Sequence, residues 1–109
     1  MYLNKGELNG VRLLSRTTVE TILSDQVGAM LGASDSGYGL AFGILDERGA
    51  LWGGQGSAGT FSWGGYFNTQ YFADPVEQTI GILMKQTQDT PTDESGWKFT
   101  LLVGQAIDD

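Results

Sequence analysis

Apolar and small residues alternate most clearly over Tyr38-Gly39-Leu40-Ala41-Phe42-Gly43-Ile44-Leu45, where Tyr38, Leu40, Phe42 and Ile44 share one face. This predicts a single strand across the segment. A longer aromatic run, Phe61 to Ala73, reads as one strand or two, with a break near Gly64-Gly65. Asp74-Pro75-Val76-Glu77-Gln78 then reads as a hairpin connection, because proline pre-sets the φ of a turn. Thr79 to Lys85 is apolar on both faces, the pattern of a central strand.

The period changes at both ends of the chain. Val19, Ile22 and Leu23 are spaced i, i+3, i+4, and Ser15 precedes them as an N-cap, with Thr17 and Glu20 as a competing capping box. Met1 to Lys5 reads as the end of an earlier helix, with Gly6 just past its C-terminus. Between the two, Leu8-Asn9-Gly10-Val11 carries the Asn-Gly signal of a tight turn. Val27 to Gly37 has no period and reads as loop. Asp46 to Gly49 reads as a turn, Leu51 to Thr60 is too glycine-rich to assign, and Gln86 to Glu94 is polar loop. Ser95 to Ile107 reads as a last helix. Helices outside a group of strands predict an α+β fold: an antiparallel sheet of about three strands, N-terminal helices and a C-terminal helix. The chain is expected to be a single domain, 1–109, with a helical lead-in over 1–36 and the sheet and last helix over 37–109.

Composition narrows the chemistry. The net charge of −7 opposes nucleic acid and anionic membrane as partners. No apolar run reaches the length of a membrane span, and no signal peptide is visible. With neither cysteine nor histidine there is no thiolate, no disulfide framework and no imidazole base or ligand. No metal or cofactor is expected. Glycine, at 17 of 109 residues, is well above its usual share, yet without a repeat; beside aromatics it points to close backbone approaches. Asp89, Asp93, Glu94 and the terminal Asp108-Asp109 lack the spacing of a calcium loop and read as solvated loop and tail.

Several segments, taken in order, resemble one family. These are Met1-Tyr2-Leu3-Asn4-Lys5-Gly6-Glu7-Leu8-Asn9-Gly10-Val11-Arg12-Leu13-Leu14-Ser15, then Tyr38-Gly39-Leu40-Ala41-Phe42-Gly43, then Ser62-Trp63-Gly64-Gly65, then Asp74-Pro75 with Thr79-Ile80-Gly81-Ile82-Leu83-Met84. In this order they resemble the C-terminal part of the serine β-lactamase-like hydrolases, above all the esterases in which Trp-Gly-Gly replaces Lys-Thr-Gly. The resemblance implies a partial β-lactamase/transpeptidase-like fold. It also implies that Trp63, Gly64, Gly65 and Tyr66 line the oxyanion side of an acyl-hydrolase site, with the backbone N–H of Tyr66 as the donor. The family often has glycine where Asn68 stands, and asparagine also tolerates positive φ. Read from residue chemistry alone, Trp63-Gly64-Gly65 is also compatible with a strand bulge whose Trp fills the core.

The family's nucleophilic Ser-x-x-Lys and its Tyr-x-Asn belong well before this stretch. Ser95-Gly96-Trp97-Lys98 and Tyr66-Phe67-Asn68 fit those patterns in the wrong chain order. Ser95 reads better as an N-cap with Lys98 in solvent. Three functions follow: a hydrolase fragment lacking its nucleophile and inactive alone; a binding or self-association module using an exposed sheet edge and apolar face; or an enzyme that uses Ser95 and Lys98 or is completed by another chain. In the complete fold of the family an N-terminal helix packs on the last helix and two N-terminal strands extend the sheet. Without that N-terminal portion a homodimer is expected to cover the exposed surface.

Overall fold

Five strands pair antiparallel, in the order in which the chain makes them. They are β3 (Ser36–Tyr38), β4 (Gly43–Leu45), β5 (Phe61–Gly64), β6 (Gln70–Asp74) and β7 (Thr79–Leu83). A separate two-stranded hairpin, β1 (Glu7–Leu8) with β2 (Val11–Arg12), precedes them. Among the described residues three α-helices accompany the strands, α1 (Arg16–Leu23), α2 (Glu47–Leu51) and α3 (Ser95–Gln105), with a 3-10 turn at Gly28–Leu31. The computed structural model describes residues 1–31, 36–51, 53, 55–88 and 91–107. The acidic residues Asp89, Asp108 and Asp109 lie outside them.

Local chemistry explains most of these elements. Asn9 and Gly10 take φ of 50° and 78°, the two positive values a two-residue hairpin requires. Ser15 caps α1, its Oγ accepting from the Thr18 N–H at 3.0 Å. Of the apolar stripe on α1, Val19 is buried and Ile22 and Leu23 are partly so. The predicted α+β class holds, and the sheet is larger than the three strands expected.

Several elements differ from expectation, among them the stretch 27–37 read as loop, which holds the 3-10 turn and the start of β3. Met1 to Gly6 is a turn, closed by bonds from Asn4 and Gly6 N–H to the Met1 carbonyl at 3.1 Å, so the lead-in has one α-helix and not two. The single strand expected over Tyr38–Leu45 is a hairpin: the chain reverses at residues 39–42 and Tyr38 pairs with Gly43. Its alternation came from a chain folding back on itself, and periodicity alone does not detect a reversal. Residues 47–51 form a helical turn, with Asp46 Oδ1 accepting from the Gly49 N–H at 2.7 Å. Finally, β7 is an edge of the described sheet and not a central strand, and Ile80 and Ile82 are each 61% exposed on it.

The core sits on one face of the sheet. Ile44, Phe61 and Ala73 are buried there, and Tyr2, Leu3, Leu23 and Phe42 pack over them. Phe42 meets Tyr2 and Phe61 with ring centroids 5.1 and 5.2 Å apart. The opposite face carries α3. There Phe72 lies across Gly81, its cross-strand partner, and meets Phe99 of α3 at 6.1 Å. A Cβ on Gly81 would fall 2.1 Å from the Phe72 ring, so glycine at this position is what lets the ring lie flat on β7.

Asp74 closes the β6–β7 turn from inside. It is only 3% exposed. Its carboxylate accepts from the N–H groups of Ser57 at 2.8 Å, Val76 at 2.9 Å and Glu77 at 3.1 Å. Burial pushes its pKa up, but these backbone donors outweigh burial and hold it below the ordinary 3.8. The ionised form is therefore the one the fold prefers. The stability it contributes is present above the unfolded value and is lost as pH falls through the lower folded one. Asp74→Asn is expected to cost about 1–3 kcal/mol at neutral pH. Urea unfolding should also show a smaller loss of stability from about pH 5 to about pH 3 in the variant than in the wild type.

Candidate functional site

Strand β5 runs through Trp63 and Gly64 without a bulge, and Gly65 follows its end. Phe61, Ser62, Trp63 and Gly64 pair in unbroken register with Ala73, Phe72, Tyr71 and Gln70. Trp63 is 52% exposed, so the reading in which it fills the core fails. Its ring stands edge-on to Tyr38 at 5.1 Å instead. The segment is the surface-facing end of an inner strand.

The two glycines differ. Gly64 has no positive φ, and a Cβ there would meet the Thr69 carbonyl oxygen at 3.6 Å and Gln70 Cγ at 3.9 Å, both ordinary contacts. Nothing in the fold requires glycine at 64. Gly65 also lacks a positive φ, but a Cβ there would fall 2.3 Å from Thr69 Oγ1. Its constraint is a close contact, not a left-handed backbone.

The left-handed residue of the loop is Asn68, with φ 62°. The hairpin closes through Gly65 N–H to the Thr69 carbonyl at 2.7 Å and Asn68 N–H to the Gly65 carbonyl at 2.9 Å. This leaves Tyr66, Phe67 and Asn68 as a three-residue loop, a common hairpin form that ends on a left-handed residue. The asparagine does what glycine would do there. The N–H of Tyr66 donates to no acceptor among the described residues. Tyr66 itself is 74% exposed. An N–H group free of the ladder, next to two residues without side chains, can donate to a ligand atom that approaches the strand end.

The Ser-x-x-Lys pattern does not form a pair. Lys98 turns to Glu94 at 2.5 Å and lies 5.5 Å from the centre of the Trp97 ring. Ser95 is instead bonded to a lysine that sequence spacing did not single out. Lys85 Nζ donates to Ser95 Oγ at 2.7 Å and to Asp93 Oδ2 at 2.6 Å. Ser95 Oγ donates to Asp93 Oδ1 at 2.5 Å. The side chains of Lys85 and Asp93 are 14% and 19% exposed, although Asp93 as a whole residue lies at the surface. Hydrogen bonds from Lys85 and from Ser95 hold Asp93 well below the usual carboxylate range. The ammonium is thus engaged by a carboxylate and has no lone pair to take the Ser95 proton. The cluster fastens the start of α3 to the end of β7. Ser95 is the first residue of that helix and Glu94 its cap position, one residue before the cap expected. Asp93 is accordingly a structural anchor rather than a freely solvated charge. The Tyr-x-Asn pattern is also engaged structurally: the Tyr66 hydroxyl accepts from Gln88 Nε2, and Asn68 Nδ2 donates to Thr87 Oγ1 at 3.1 Å.

Beside α3 the sheet is only partly covered. A cavity of about 560 Å³ lies between α3 and the end of the sheet at β4 and β5, with Gly43, Ser62, Gly64, Gln70, Phe72 and Trp97 among its walls. Among the described residues no group of three Asp or Glu side chains could hold a metal ion, and no helix is long and apolar enough to cross a membrane.

This architecture has a counterpart among known structures. The chain is similar to EstCE1, a hydrolase with promiscuous acyltransferase activity, at a TM-score of 0.64 and 19% identity. The match covers 91% of this chain and 25% of EstCE1, so the chain spans about a quarter of that protein's length. The shared property is the fold: these residues fold as part of a hydrolase does. No protein-family model matches the sequence, and no curated protein matches it.

The geometry separates the two glycines experimentally. Gly64→Ala is expected to leave stability unchanged or to raise it by up to about 1 kcal/mol, since no atom is displaced. Gly65→Val should cost about 1–3 kcal/mol through the Thr69 contact. Pairing it with Thr69→Ala should recover part of that loss. Thermal and urea unfolding of the four proteins measure all of this.

Proposed function

We propose that this chain forms the C-terminal wall of the active site of a serine β-lactamase-like acyl hydrolase, of the esterase type. Ser62-Trp63-Gly64-Gly65 is its third-motif strand and the Tyr66 N–H its oxyanion donor. The nucleophile comes from outside these 109 residues. The observation that carries the reading is the strand end itself. An unbulged strand ends at Trp63-Gly64 with Gly65 after it, no fold contact demands Gly64, and the next free N–H belongs to Tyr66.

The mechanism follows from that placement. A serine from the remainder of the site attacks an ester carbonyl, and negative charge develops on the carbonyl oxygen. The Tyr66 N–H and the nucleophile's own N–H would share that charge. One such donor contributes about 3 kcal/mol, because it acts where charge exists only in the transition state. A side chain at Gly64 or Gly65 would stand between the substrate and that backbone. The hydrolase fold of EstCE1 supports the reading, and so does the half-covered face beside α3, where the family places an N-terminal helix.

The chain alone is expected not to hydrolyse 4-nitrophenyl butyrate, because Ser95 is held by Asp93 and Lys85. The native protein, isolated from its cells with an antibody against this chain, should hydrolyse it and take up a fluorophosphonate label on a serine other than Ser95. Turnover by the isolated chain that vanishes in Ser95→Ala would move the site to α3 and defeat the proposal.

A second reading is favoured by β7. This edge strand has no charge and no proline over Thr79–Met84, and Ile80, Ile82 and Met84 are 61%, 61% and 78% exposed. Natural sheet edges usually carry such protection. In this reading the isolated chain is a self-associating module in which two β7 edges pair about a two-fold axis. Sedimentation at micromolar concentration should then give a dimer, and Ile82→Lys should return it to a monomer. A wild-type monomer at high concentration would rule this reading out.

A further inference from the structure

Each residue of the β5–β6 loop is tied to the same two-residue stretch beyond β7. The Tyr66 hydroxyl accepts from Gln88 Nε2. The Phe67 carbonyl accepts from the Thr87 N–H at 3.1 Å. Asn68 Nδ2 donates to Thr87 Oγ1 at 3.1 Å. None of these bonds closes the hairpin, which the Gly65–Thr69 and Asn68–Gly65 bonds already do. They cross from one loop to a segment about twenty residues later and set the tilt of the loop against the sheet.

Their energetic weight is small. Tyr66, Phe67, Thr87 and Gln88 are all exposed, and an exposed hydrogen bond exchanges for one with water at little net gain. Their geometric weight is not small. A loop this exposed would otherwise move on nanosecond to microsecond timescales. An oxyanion donor acts only at hydrogen-bond distance, and a misplacement of about 1 Å can cost about a hundredfold in rate.

We propose that Thr87 and Gln88 are positioning residues that hold the main chain of Tyr66 in place as an oxyanion donor. The inference rests on the reading of Tyr66 given above. Neither residue touches the substrate; both act through the loop. Gln88 holds the Tyr66 side chain, and Thr87 holds the two residues after it.

Two measurements test this. In the isolated chain, Thr87→Val with Gln88→Leu should speed amide exchange several-fold at Asn68 and at residue 87, whose N–H groups are bonded to the Gly65 and Phe67 carbonyls, and leave the β6–β7 amides and the melting temperature unchanged. In the native protein carrying the same changes, kcat for 4-nitrophenyl butyrate should fall about tenfold or more, with KM within about twofold. Thr87→Ser, which keeps the hydroxyl, should restore most of the rate when Gln88 is intact. Unchanged exchange at Asn68 and residue 87 would show that there is no strut. Faster exchange with unchanged kcat would show that the strut does not serve catalysis. A native wild-type protein without esterase activity would defeat the reading of Tyr66 and the positioning role with it, and the exchange data would still decide whether the strut exists.

Discussion

Strand β6 is the constraint on which the rest depends. It pairs through residues 70–73 with β5 on one side and through residues 70–74 with β7 on the other. Its side chains alternate between two layers. Gln70, Phe72 and Asp74 face α3 and its flanking loop, while Tyr71 and Ala73 face the lead-in through Phe42 and Phe61. A shift of one residue would exchange the two sets and place Asp74 in the aromatic core. The pairing of Phe72 with Gly81 blocks that shift, because only a residue without Cβ fits beneath the ring.

That register also decides where the loop chemistry lies. With Gly64 opposite Gln70, the hairpin has room for Tyr66, Phe67 and Asn68 and no more. The loop projects past the ladder and leaves the Tyr66 N–H without an acceptor among the described residues. The glycines before it are thus of two kinds. Gly65 answers to the fold through Thr69; a side chain at Gly64 would meet only ordinary contacts.

The helical layer is held differently. α3 meets the sheet through Phe99 on Phe72 and through the close seat of Gly96 on Gln70, and it is fastened at its start by Lys85, Asp93 and Ser95. It leaves Trp97 and Leu102 at 47% and 62% exposed and the nearby cavity open. A surface of this kind leaves room for a further element to pack. The similarity to a quarter of a larger hydrolase accords with that physical picture.

Much of this was legible in the residues. Asn9-Gly10 needed positive φ, Ser15 offered a cap, Asp74-Pro75 turned the chain, and the break at Gly64-Gly65 divided two strands; each is local chemistry that a neighbour cannot easily override. The α+β class and the Trp-Gly-Gly strand followed from the same signals. What local pattern could not carry was everything set by contacts distant in sequence. The alternation over Tyr38–Leu45 runs straight through the reversal at residues 39–42, so only the pairing of Tyr38 with Gly43 exposes it. The edge position of β7 depends on which strands lie beside it, not on its own apolar residues. Ser95 found its lysine ten residues upstream and not three downstream, because the end of β7 passes the start of α3. Asp93, read as a solvated charge, became an anchor for the same reason. Local propensity determined the turns, caps and glycine-rich strand; tertiary packing alone decided which side chains met, because those meetings join residues that the chain keeps apart until it folds.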